Sequence, residues 1–172
     1  QDYDRPTAEA PAGRFIQTLT RLFRICQGVK ATLAGSYATG EDELAVVNSR
    51  GVACYTASTV SGVKLVTMYR ALSGFASRVS TRVASLDPEG CLEQALAQCL
   101  HRRTPMRLPT GTYEVILDPE AVAELVVWLG AIAFGAKSVQ ERTSFLVGRM
   151  GEQVMDRRIT IADDAHHPEG LR

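Results

Sequence analysis

Side chains able to hold a metal or attack a carbonyl are few and scattered along this 172-residue sequence. The histidines are His101, His166 and His167. A zinc-protease helix needs a pair of histidines about four residues apart, so that both imidazoles meet one ion, with a glutamate as base. No pair here has that arrangement. Asp163 to His167 (DDAHH) is the one cluster of metal-ligand types. Adjacent histidines on an extended chain point to opposite faces, so the cluster reads as a solvated tail, with a metal site as the weaker alternative. Cys26, Cys54, Cys91 and Cys99 form no CxxC pair, and three of them sit inside apolar patterns where a thiol behaves as a small hydrophobe. No G-x-S-x-G elbow is present. Thr56, Ser58, Thr59 and Ser61 read as strand and turn residues. The glycines are scattered, and acids follow Gly40 where a phosphate loop wants donors. Arg102 and Arg103 complement a helix dipole. On residues alone this is a domain without an active site: no catalytic, cofactor-binding or metal-ligating residue is assigned.

Composition narrows the classes further. Nineteen basic residues balance 19 acidic ones, and hydrophobic residues make up 45%. Zero net charge speaks against steering toward nucleic acid. The length suits one domain that buries roughly 70% of the surface its unfolded chain exposes. The polar, proline-bearing start QDYDRPTAEAPAGR is no secretory signal, and the unpaired cysteines fit a reducing cytoplasm. Beginning on Gln1 and running out through HHPEGLR, the sequence is expected to be a piece of a longer protein.

Around these residues the patterning predicts an α+β fold. Phe15, Leu19, Leu22, Phe23 and Cys26 make one apolar stripe on a helix over Ala12 to Gln27, stopping at Gly28. From Val29 to Val83 the signal turns to β-branched runs between turn formers. Strands are expected near Lys30 to Tyr37, Glu43 to Val47, Val52 to Ser58, Val63 to Tyr69 and Ser77 to Val83, in an antiparallel meander. The breaks are ATGED, Asn48 to Gly51, Ser61–Gly62 and Ser73–Gly74. Asp87-Pro88-Glu89 and Asp118-Pro119-Glu120 each announce a helix with an Asp cap and Pro in the first turn. The first buries Cys91 or Leu92, Ala95, Leu96, Cys99 and Leu100. The second carries one charge, Glu124, between Ala121 and Ala136, and is expected to be surrounded by protein. It is too short for a membrane span, which needs about 20 apolar residues. Gly130 and Gly135 suggest close approach of another element. Tyr113 to Leu117 and Arg158 to Ala162 read as strands.

The run from Tyr113 onward resembles the middle of the TldD/PmbA family, also called modulators of DNA gyrase. The shared features are the strand into DPEAVAEL, the apolar helix, TSFLVGRMGEQV and TIADD with its proline-glycine exit. Upstream, AVVNSRGV with its following threonine-rich strand, and SGFA, are similar to that family's N-terminal domain. The resemblance implies a two-domain protein of which residues 1–162 are a partial N-terminal α+β domain and 163–172 the start of a linker. TldD-type members carry His-Glu-x-x-x-His on the apolar helix, and a second-domain cysteine completes a zinc site used on small peptides. Here Val127 to Gly135 reads VWLGAIAFG, which has no donor and is similar to the PmbA (TldE) branch. The resemblance thus implies a cytoplasmic, non-metal-binding subunit with no cofactor of its own. Zinc is expected only in a TldD-like partner, and a peptide substrate and a possible homodimer are also implied. A regulatory interaction module that takes no part in proteolysis is the alternative.

Overall fold

The computed structural model describes residues 3–100 and 106–164. The chain divides into two compact units, Gln1–Arg107 with Asp164–Arg172, and Leu108–Asp163.

In the first unit, helix α1 (Arg5–Ala8) leads into α2 (Ala12–Gly28). The apolar stripe turns Leu22 and Cys26 into the core, and Phe15 meets Tyr37 edge-to-face at 4.6 Å. Gly28 is not the stop. The helix runs through it, and Lys30 takes the left-handed conformation at φ 58°. Ala31 N–H then donates to the Cys26 carbonyl (2.9 Å) and Lys30 N–H to that of Gln27 (3.1 Å), a Schellman closure built without glycine.

Three long strands replace the shorter ones expected: β1 (Thr32–Val47), β2 (Ala53–Tyr69) and β3 (Leu72–Ser80), antiparallel in the order β1-β2-β3. Two of the expected breaks lie opposite each other in the ladder, Ala38 against Gly62 and Thr39 against Ser61. Each strand carries the other through its weak residues. The Asn48 turn forms as read. Asn48 Oδ1 accepts from the backbone N–H of Arg50 (2.9 Å) and Val52 (3.2 Å), with Gly51 at φ 87°. Gly74 is a packing residue rather than a turn, since a Cβ there would lie 1.9 Å from the Ala95 carbonyl oxygen.

That close approach belongs to α3 (Pro88–Leu100), whose Asp87 cap accepts from Gly90 N–H at 2.9 Å. Cys91, Leu92, Ala95, Leu96 and Cys99 face Leu22, Cys26, Leu33, Val63, Leu65 and Ala76 in one core. Gln98 bonds both backbone groups of Phe75, at 2.9 Å each, which occupies part of the β3 edge. The hydroxyls of Thr59 and Ser61 donate to the carbonyls of Thr81 (2.8 Å) and Ser80 (2.9 Å). They are structural, as their sequence context suggested.

The second unit holds α4 (Pro119–Leu129), a π-helical turn (Gly130–Phe134) and α5 (Ala136–Gln140). Tyr113–Leu117 and Arg158–Ala162 are not strands. A strand pattern states which backbone groups need partners without supplying them, and Ile116 is 100% exposed. α4 is not enclosed either. None of its residues is buried, and Val122, Leu125, Val127 and Trp128 are exposed. No helix among the described residues is long and apolar enough to cross a membrane.

Candidate functional site

The apolar helix is where the resemblance locates chemistry, and its local structure is unusual. Asp118 starts α4 through its backbone, whose carbonyl accepts from Ala121 N–H (3.0 Å) and Val122 N–H (3.1 Å). Its side chain makes no cap bond, contrary to expectation. One face of the helix is tied internally, with Trp128 Nε1–H donating to Glu124 Oε1 at 3.2 Å. The helix then widens into the π turn. Such turns mismatch the regular ladder and recur at functional sites.

The buried Ser144 pins that turn, its hydroxyl donating to the Ala133 carbonyl at 2.6 Å. The same oxygen accepts from Leu146 N–H at 3.0 Å. Phe134 and Phe145 meet edge-on at 6.3 Å. A cavity of about 790 Å³ opens above, within the second unit. Val126, Gly130, Phe134 and Gly135 line it on the helical side, with Leu146 and the segment from Gln153 to Asp163 opposite, Arg158 excepted. Its size lies in the range of ligand pockets, and its walls are largely apolar with a few polar groups at one side.

Both glycines depart from the expected role. A Cβ on Gly130 would meet nothing within 4 Å, and one on Gly135 only the Ser138 hydroxyl at 3.9 Å. They leave the cavity floor open instead of admitting a neighbouring element.

The polar side centres on Asp156. Its carboxylate accepts from Arg158 Nε (2.9 Å) and Nη2 (3.1 Å) and from the Arg158 backbone N–H (2.9 Å). This arginine holds the carboxyl below its ordinary range. A carboxylate so committed stays ionised near neutrality and is a poor general acid or base. Asp163 is the other acid at the cavity. The Asp156–Arg158 pair escaped sequence reading: it forms across a turn closed by Ile159 N–H donating to the Asp156 carbonyl at 2.8 Å. Among the described residues no group of three or more His, Cys, Asp or Glu gathers as a metal site. His101, His166 and His167 lie outside the described residues, as do Arg102 and Arg103. Of the DDAHH cluster, Asp163 and Asp164 are described.

Residues 110–172 match the family described as the PmbA/TldA metallopeptidase C-terminal domain. The match begins close to Leu108, where the second unit starts. The Methanocaldococcus jannaschii protein MJ0231 is 29% identical over 119 residues, 69% of this chain and 28% of its own length. A solved structure from Bacteroides thetaiotaomicron, of a protein named for modulation of DNA gyrase, superposes with a TM-score of 0.72 at 21% identity. That superposition covers 88% of this chain and 36% of the other. The chain therefore spans about a third of the length of the proteins it matches.

Zinc, the metal that the resemblance implies for the family's catalytic members, does not fit the residues of the helix. Val127 to Gly135 offers no imidazole, thiolate or carboxylate, and Asp156 is taken by Arg158. A zinc site needs several such donors converging on one point.

Proposed function

The chain belongs to the TldD/PmbA family, and from that membership we propose that it forms part of a subunit that binds no metal itself and serves a zinc-bearing partner in peptide proteolysis or maturation. One observation carries the reading. The helix to which the resemblance assigns the metal ends in a π turn beside a cavity, while VWLGAIAFG supplies nothing able to hold or polarise a metal-bound water. This composition resembles that of the PmbA (TldE) branch of the family.

The site's chemistry is that of holding. Its apolar walls accept side chains, and Thr160 to Ala162 runs along the cavity outside any ladder among the described residues. Backbone groups of that kind pair with an extended peptide largely regardless of its sequence. The unit boundary beside the family match supports reading residues 108 onward as the beginning of the C-terminal domain. The sheet unit before it is then most of an N-terminal one.

Co-expression with a chain carrying His-Glu-x-x-x-His tests the proposal. The expected result is a co-purifying complex whose zinc resides in the partner and whose cleavage of an unstructured peptide falls when this subunit is left out. Unchanged cleavage without it removes the reading. The name of the Bacteroides protein favours the alternative of a regulatory module outside proteolysis, which the same experiment would then leave standing.

A further inference from the structure

The cavity of the second unit has one cation among its lining residues, Arg157. Its neighbour Arg158 is absent from the lining and spent on Asp156. The Arg157 side chain has no ion pair or hydrogen bond among the described residues. Gln153 Nε2 donates to the Met155 carbonyl at 2.8 Å, which turns that amide back on its own segment. Thr160 brings the one hydroxyl among the lining residues. The acids at the cavity are Asp156 and Asp163. Arg158 offsets the charge of the first, so the uncompensated charges are Arg157 and, six residues further along the same wall, Asp163. Six residues reach at most about 20 Å. Val126, Phe134, Leu146, Ile159 and Ile161 supply apolar surface beside them.

We propose that Arg157 determines specificity by taking the C-terminal carboxylate of a peptide whose last side chain is apolar. A guanidinium presents a rigid fork of N–H donors that matches the two oxygens of a carboxylate. When a ligand fills the cavity and displaces water, an unpaired cation there is costly unless the ligand brings a countercharge. A carboxylate carried on an apolar residue meets both demands at once, the charge on Arg157 and the side chain on the walls. Asp163 sets the direction. It repels the carboxylate and not the uncharged body of the peptide, so the chain end lies at Arg157 and the body runs along Thr160 to Ala162, whose backbone is outside any ladder among the described residues. This role deepens the peptide-holding reading above and rests on it.

Fluorescence anisotropy tests it, with an unstructured hexapeptide labelled at its N-terminus and ending in leucine, titrated with the full chain. The free acid should bind about tenfold or more tighter than the same peptide with a C-terminal amide. Arg157→Ala should abolish that preference and leave binding of the amide unchanged. Its melting temperature should not move, because Arg157 is exposed. Arg157→Lys should restore part of the preference, since an ammonium keeps the charge and loses the fork. Octanoate, a free carboxylate with an apolar tail, should compete only weakly, having no peptide backbone to lay along Thr160 to Ala162. Equal affinity for acid and amide overturns the assignment and leaves the holding role standing, whereas binding of neither peptide removes both. An acid preference that survives Arg157→Ala overturns it too, as does octanoate that displaces the peptide at equal concentration.

Discussion

The cysteines and the Asp156–Arg158 pair show how far a single side chain's behaviour follows from its surroundings. Cys26, Cys91 and Cys99 are buried and Cys54 is exposed. Burial pushes the Cys26 thiol up, with Cys99 nearby adding to the effect, and the neutral thiol is a poor nucleophile. In native protein, iodoacetamide should therefore label Cys54 within minutes and the other three only on unfolding, as intact-mass spectrometry would show. Rapid labelling of Cys26 would contradict the core described. The apolar context of three cysteines was legible in the sequence, since each sits among core residues. Asp156 was not legible, because nothing local distinguishes a paired aspartate from a solvated one. Its carboxyl lies below the usual range through Arg158. Its contribution to stability is thus present above the unfolded value of about 3.9 and is lost as pH falls through the folded one. Carboxyl titration by NMR should show a low midpoint for Asp156 that rises toward the ordinary value in Arg158→Ala.

Two glycines at the scale of elements make opposite predictions from the same residue type. Gly74 lies in β3 against α3, where a methyl group would overlap the Ala95 carbonyl. Gly74→Ala should cost about 2 kcal/mol or more in chemical denaturation, because helix and sheet must separate. Gly130 has ordinary helical angles (φ −58°, ψ −49°) and empty space where a Cβ would go. Gly130→Ala should be neutral or stabilising by up to about 1 kcal/mol. The caps divide likewise. Asp87→Ala should cost about 1 kcal/mol, whereas Asp118→Ala should cost less, since the Asp118 side chain makes no cap bond. Helices α2, α3 and α4 were visible through periodicity and Asp-Pro-Glu signals. The strands were visible as β and wrong in length, because Ala38–Thr39 and Ser61–Gly62 look like turns until each is seen opposite the other.

The whole molecule presents two units, one with a closed core and one whose apolar helix stands exposed. On the donor set of the helix, zinc added to the purified chain should leave its melting temperature unchanged. If a shift appears and vanishes in His166→Ala, the DDAHH tail binds the ion and the weaker reading of that cluster stands. If it survives that change, the donor accounting of the helix is wrong.

What the amino-acid order determined by itself was local: which segments are helical, where Asn48 turns the chain, which cysteines are apolar, and that Val127 to Gly135 has no metal donor. Those properties depend on side-chain type and near neighbours, and no folding is needed to read them. Tertiary structure decided everything requiring a second, distant segment. It joined short β runs into long strands, set Gly74 under α3, opened the cavity beside Gly130 and left Tyr113–Leu117 without a ladder. A hydrogen-bond partner or a packing surface is a property of two places in the chain brought together, and a one-dimensional pattern specifies only one of them.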